Sequence, residues 1–124
     1  MQMWLEAGDI KLKIALNDTF TARRVWESLP IEAEVNTWGE EIYFETPLDL
    51  PQERPQETVE LGQVAYWPRG RALCIFFGPT PVSGPGEIRP YSPVTVIGKV
   101  VEGDLEGLKR VRDGEKVRLT RVEE

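Results

Sequence analysis

The 124 residues of this sequence include no histidine, which limits the chemistry that its side chains could support. This excludes Ser-His-Asp and Cys-His catalysis, histidine-ligated zinc and a histidine acid or base. Two adjacent carboxylates stand at Glu40 and Glu41, and paired carboxyl groups can shift one another's pKa toward acid–base use. Successive strand residues point to opposite faces, so we do not expect a dyad and assign no catalytic residue.

Arg71 and Thr80 are the other polar candidates for a binding site. Arg71 opens an apolar run after a tight turn, and its guanidinium could donate to a prolyl nitrogen or clamp a carboxylate. The plainer interpretation is a surface salt bridge with Glu40 or Glu41. Thr80 lies between two prolines, which would hold its hydroxyl for a ligand or, more simply, for stabilising the turn.

Aromatic residues could supply an apolar groove with polar tips for a peptide, particularly one that bears proline. The candidates are Trp38, Tyr66, Trp67, Phe77 and Tyr91. Core packing explains most of them equally well. Cys74 has apolar neighbours and no base near it in the sequence, so we expect an inert core thiol. We predict no metal site and no cofactor, because neither a calcium loop nor a phosphate-binding GxxxxGK[ST] segment occurs.

The elements that must position these residues are mostly strands. Residues 10–16 alternate with period two, and strand-like runs follow at 31–36, 42–45, 64–67, 71–77, 94–101 and 117–119. We expect the runs at 31–36 and 42–45 to pair, and the run at 71–77, apolar on both faces, to be central. One short amphipathic helix precedes Pro30, and 104–111 is a weak helical turn. Proline-rich loops occupy 46–60 and 78–93, the second a candidate rim for a cleft.

The composition is that of one globular domain over 1–124, with 40% hydrophobic residues and a net charge of -6. The negative charge opposes nucleic-acid binding. No apolar run has the length of a membrane helix, so we expect no membrane role. A single cysteine and the lack of a secretory signal favour a cytoplasmic location. Nothing in the sequence indicates an oligomeric state.

Several segments resemble one known family. They are ESLP at 27–30, TWGEEIYFETP at 37–47, LGQVAYWPRGRALCIFFGPTP at 61–81 and YSPVTVIGKV at 91–100. In this order and spacing they are similar to the cyclophilin-like domains of small bacterial and archaeal proteins. The resemblance implies a mainly β fold, a closed antiparallel barrel of about eight strands with one or two short helices. It does not imply prolyl isomerisation, because the Phe-His-Arg and Gln-Gly-Gly motifs of true cyclophilins have no counterpart here.

We therefore expect a barrel that binds a peptide or small molecule in a cleft at one end. The ligand-binding candidates are Trp38, Glu40, Tyr66, Arg71, Phe77, Thr80 and Tyr91. The alternative is a peptidyl-prolyl isomerase with a histidine-free site built on Arg71, because amide rotation needs desolvation and one hydrogen bond rather than a histidine. A subunit or assembly protein is a third possibility, which an exposed apolar patch would indicate.

Overall fold

Within residues 1–123, which the computed structural model describes, nine strands form one antiparallel sheet in the order β3-β9-β1-β2-β8-β6-β7-β5-β4. The strands are β1 (Gln2–Ala7), β2 (Ile10–Leu16), β3 (Ile31–Glu34), β4 (Asn36–Thr37), β5 (Glu41–Glu45), β6 (Gln63–Trp67), β7 (Ala72–Phe76), β8 (Thr95–Glu102) and β9 (Lys116–Arg121). The edge strands β3 and β4 follow one another in the chain, so the sheet curls into a nearly closed barrel. The predicted mainly β barrel is confirmed.

The helical segments are short. Helix α1 spans Phe20–Glu27, and 3₁₀ turns occupy Pro68–Gly70 and Leu105–Arg110. The Thr19 hydroxyl caps α1 by accepting from the amide of Ala22. The predicted helix before Pro30 and the weak helical turn near residue 108 are both confirmed. No helix among the described residues is long and apolar enough to cross a membrane.

The strands differ from expectation in two places. Strand β1 was missed, although Met3 and Leu5 alternate with more polar neighbours and are fully buried. The expected pairing of the runs at 31–36 and 42–45 forms only at the end of the first run, where Asn36 of the two-residue strand β4 lies opposite Tyr43 of β5. The rest of that run, strand β3, pairs with β9 instead. The alternation of apolar and polar residues within a strand shows which of its faces is buried. Which strand it pairs with depends on the curvature of the whole sheet, which here brings β9 beside β3.

The central strand was predicted correctly, and its two apolar faces pack on different layers. All five residues of β7 are buried between β6 and β5. Leu73 and Ile75 face the barrel interior, which also buries Tyr66 and Phe77. Cys74 and Phe76 face outward into a second, smaller cluster with Val59, Ala65 and Val94. The chain before β6 and the chain after β7 therefore both cover the outer face of this part of the sheet.

Candidate functional site

A pocket of about 230 Å³ opens on this outer face of the sheet, rather than at an end of the barrel where the sequence suggested a cleft. The sheet contributes Glu41, Tyr43, Trp67 and Cys74. The turn before β5 and the loop after β7 contribute Trp38, Pro90, Tyr91 and Val94. We call this site the aromatic pocket, because four of these eight residues are Trp or Tyr.

Strand register explains why the sheet residues converge. Glu41 lies opposite Phe76, and Tyr43 lies opposite Cys74. Cys74 also lies opposite Ala65 of β6. Directly opposed residues of an antiparallel pair share a face, and residues two apart share it as well. Glu41, Tyr43 and Cys74 therefore point to the same side of the sheet, while the residues between them fill the barrel.

The 38–41 turn is packed tightly against the loop 78–93. The amide of Glu40 donates to the carbonyl of Pro79 at 3.0 Å, and the amide of Phe77 donates to the carbonyl of Glu40 at 2.9 Å. Gly39 adopts φ +59, and a Cβ there would lie 2.7 Å from Cδ of Pro81. Only glycine meets both demands without strain, so Gly39 allows the turn to carry Trp38 to the pocket.

Hydrogen bonds among its own residues hold the proline-rich loop, residues 78–93, in one shape. The hydroxyl of Ser83 accepts from the amides of Thr80 and Arg89, each at 2.9 Å. The hydroxyl of Thr80 donates to the carbonyl of Arg89. The loop is tied to the sheet where the indole of Trp67 donates to Ser92 at 2.6 Å.

The aromatic side chains form the walls of the pocket, and the planes of adjoining rings are steeply inclined to one another. Trp38 and Trp67 each meet Tyr91 with ring centroids 5.9 Å apart and interplanar angles of 72° and 73°. Tyr43 meets Trp67 at 6.1 Å and 83°. Edge-to-face contacts of this kind are favourable and hold the rings at fixed angles around the pocket.

Glu41 is the charged residue of the aromatic pocket, and its environment is unusual for a carboxylate. Only 4% of the residue is exposed. Burial raises the pKa of its carboxyl from 4.5 to about 7, an effect that a hydrogen bond from the thiol of Cys74 partly offsets. Its Oε1 atom is buried and has no hydrogen-bond partner among the described residues. Such an atom costs free energy unless a donor reaches it.

The thiol of Cys74 lies beside this carboxyl, so the expectation that it has no nearby base was wrong. The residue is buried all the same, as predicted. Burial and the neighbouring Glu41 raise its pKa well above the ordinary value. A protonated, enclosed thiol is a poor nucleophile. Cys74 therefore contributes shape and one weak hydrogen bond to the pocket.

Of the seven ligand-binding candidates from the sequence, Trp38 and Tyr91 line the aromatic pocket and the other five do not, whereas Trp67, considered only as a groove aromatic, also lines it. Tyr66 is fully buried, and its hydroxyl donates to the carbonyl of Leu48 at 2.8 Å. Phe77 is in the interior core. Thr80 is buried in the loop by the contacts described above, which favour the turn-stabilising role.

The two charged candidates lie on the surface. The guanidinium of Arg71 lies 3.8 Å from Asp49, so the expected salt bridge with Glu40 or Glu41 was wrong. Both side chains of this pair are well exposed, and Arg71 does not line the pocket. The carboxylate of Glu40 lies 3.4 Å from Nζ of Lys109, also outside the pocket.

Five residues of the pocket were missed as ligand-binding candidates: Glu41, Tyr43, Cys74, Pro90 and Val94. A signal was present, because the run at 71–77 is apolar on both faces, which indicates that its outer face is covered. Residues 41 and 43 share one face of the next strand. Among the described residues, no cluster of three or more metal-ligating side chains lies near enough together to hold a metal ion.

The fold and the pocket together define a small, nearly closed antiparallel barrel with an aromatic pocket on its outer face. The model of the Cyclophilin-like family matches residues 1–120, and the chain belongs to that family. The solution structure of the hypothetical protein AF2241 from Archaeoglobus fulgidus is similar, with a TM-score of 0.83 and 40% sequence identity. The match covers 98% of this chain and 95% of that one. The search of curated proteins found no significant match.

Proposed function

We propose that this protein binds a small ligand, or one side chain of a peptide, in the aromatic pocket. The observation that carries the proposal is Oε1 of Glu41, a buried acceptor without a donor among the described residues, on a residue that lines an apolar pocket. A pocket lined mainly by aromatic groups with a few placed polar atoms is the usual form of a small-molecule site. The ligand would supply the missing donor and cover the aromatic faces.

The size of the pocket favours a small group over a long peptide segment. Drug-sized ligands occupy sites of roughly 300–1,000 Å³, so a cavity of about 230 Å³ accepts a head group or one side chain. Because the pocket is open to solvent, the remainder of a larger ligand can extend past Tyr91, which is 65% exposed.

The alternative of a prolyl isomerase depended on Arg71. The guanidinium of Arg71 pairs with Asp49 outside the pocket, so it could not contact the peptide bond of a substrate bound in the pocket. The enclosed protonated thiol of Cys74 is consistent with a binding role and with the cytoplasmic location that the sequence predicts.

Four tryptophans make the proposal testable with internal references. Trp38 and Trp67 line the pocket, whereas Trp4 lies beneath Lys11 and Trp26 beneath Arg121, both outside it. We would titrate the labelled full chain with a panel of small ammonium ions, carboxylates, neutral alcohols and N-acetylproline amide, and follow the indole N–H signals by NMR.

Saturable shifts confined to the Trp38 and Trp67 signals with at least one probe would support the proposal. Phenylalanine substitution of each tryptophan in turn assigns the four signals. If no class of probe moves the two pocket signals more than those of Trp4 and Trp26, the binding function is refuted.

A further inference from the structure

The acceptor of Glu41 narrows the chemistry of the occupant. Its Oε1 atom needs a hydrogen-bond donor, and the hydrogen bond is strongest when the donor is charged. A ligand carboxylate would instead place like charges together in a poorly solvated site. Among the described residues, no Lys or Arg lines the pocket to neutralise such an anion. The polar part of the site therefore favours an N–H or O–H donor, and a cation above all.

The aromatic walls favour the same occupant for an independent reason. The faces of Trp and Tyr rings carry negative electrostatic potential and attract ammonium groups within about 6 Å of the ring centroid. Here the walls come from Trp38, Tyr43, Trp67 and Tyr91, with adjoining rings 72–83° apart, so an occupant can contact more than one ring. The net charge of -6 adds a long-range attraction for cations.

Resting on the proposed binding function, we infer that the ligand is an alkylammonium group with at least one N–H, whose alkyl groups contact the aromatic walls and whose N–H donates to Glu41. A quaternary ammonium would make the same cation–π contacts with the rings but leave Oε1 of Glu41 without a hydrogen-bond donor. A neutral alkyl group would satisfy neither the acceptor nor the electrostatic attraction. The carrier of the group can be a free amine or a methylated lysine side chain, because both present the same chemistry.

The inference requires that binding depends on pH through Glu41. The other titratable groups facing the pocket are the phenols of Tyr43 and Tyr91 and the thiol of Cys74, whose pKa is well above its ordinary value. With the pKa of Glu41 near 7, the free protein holds a proton at pH 6 that an ammonium ligand must displace. Affinity should therefore rise about tenfold from pH 6 to pH 8.

The experiment compares three probes of similar shape on the full chain at pH 8. Trimethylammonium has a charge and one N–H, tetramethylammonium has a charge and no donor, and tert-butanol has an O–H donor and no charge. We expect trimethylammonium to bind about tenfold more tightly than either of the others, because tetramethylammonium lacks the hydrogen bond to Glu41 and tert-butanol lacks the charge that strengthens this hydrogen bond and the contacts with the rings. The readout is the shift of the Trp38 and Trp67 indole signals.

Matched variants separate the carboxylate from its surroundings. Glu41→Gln keeps the shape and an acceptor oxygen but removes the charge, so it should reduce the preference for trimethylammonium and abolish its pH dependence. Glu40→Gln alters the neighbouring residue, whose side chain pairs with Lys109 outside the pocket, and should change neither. Tyr91→Ala removes a wall residue that is 65% exposed, and should weaken trimethylammonium binding even if Glu41→Gln fails to fold.

The outcomes distinguish the two proposals. If tert-butanol or tetramethylammonium binds as tightly as trimethylammonium, the ammonium inference is overturned while the binding function stands. If the broad panel leaves the pocket signals unmoved, both fail. Comparison of dimethylamine with a short peptide that contains dimethyl-lysine then identifies the source, since tighter binding of the peptide favours a protein side chain and equal binding favours a free amine.

Discussion

The buried carboxyl of Glu41 should make the stability of this protein depend on pH in a direction opposite to that of most acidic groups. Its pKa is 4.5 in the unfolded chain and about 7 in the folded one. Between these values the folded state keeps a proton that the unfolded state releases. The contribution of Glu41 is therefore most favourable below pH 4.5, declines as the pH rises, and reaches its minimum above pH 7.

The magnitude follows from the same two pKa values. A carboxyl whose pKa rises from 4.5 to about 7 on folding removes about 3 kcal/mol from the unfolding free energy across this range. The conversion is appropriate because the side chain is almost wholly buried. This is a large fraction of the 5–15 kcal/mol that roughly spans domain stabilities.

The assay is urea unfolding of the wild type, Glu41→Gln and Glu40→Gln at pH 5, 6, 7 and 8. The neutral amide cannot ionise, so the stability of Glu41→Gln relative to wild type should increase by about 2.5 kcal/mol from pH 5 to pH 8. Glu40→Gln controls for other titrating groups and should follow the wild type at every pH. If Glu41→Gln shows the wild-type pH profile, then Glu41 does not titrate near neutrality and the reasoning is refuted.

Three further substitutions test the roles of residues around the site. Tyr66→Phe should cost about 1–3 kcal/mol in thermal or chemical unfolding, because it leaves buried backbone groups of the 48–50 segment without their hydroxyl partner; an unchanged stability would contradict this. Gly39→Ala should cost about 1–2 kcal/mol from its left-handed φ and shift the Trp38 indole signal, because the new methyl displaces the turn. Arg71→Ala should change stability by less than about 1 kcal/mol, since its pair with Asp49 is exposed, and should leave trimethylammonium binding unchanged; weakened binding would return Arg71 to the site.

The fold was predictable because each strand carries its own burial pattern. The alternation at 10–16 and the two-faced run at 71–77 identified strands that the structure confirms. These patterns do not identify the partner of each strand, because pairing depends on how the whole sheet curves. For this reason β3 was expected beside β5 although it pairs with β9.

The site was harder to predict because its key residue is distinguished from its neighbour only by tertiary contacts. Glu40 and Glu41 are chemically identical and adjacent, and the opposite orientation of their side chains was foreseen. Which of them is buried depends on the loop 78–93 covering the outer face; the two-faced run at 71–77 indicates that this face is covered, but not by which segment. The aromatic candidates divided in the same way: Trp38 and Tyr91 line the pocket, whereas Tyr66 fills the barrel.

The loop that hides Glu41 also prepares the pocket for an occupant. Hydrogen bonds at Ser83 fix its shape, and the bond from Trp67 to Ser92 fixes one wall to it. A ligand that enters such a site pays little to order the protein, so more of its contact energy contributes to affinity. The cost of this arrangement is borne by Glu41, whose carboxyl is held away from water without a full set of partners. The burial of this carboxyl does not stabilise the fold. A ligand that completes the hydrogen bonding of Glu41 therefore explains why the carboxyl is buried.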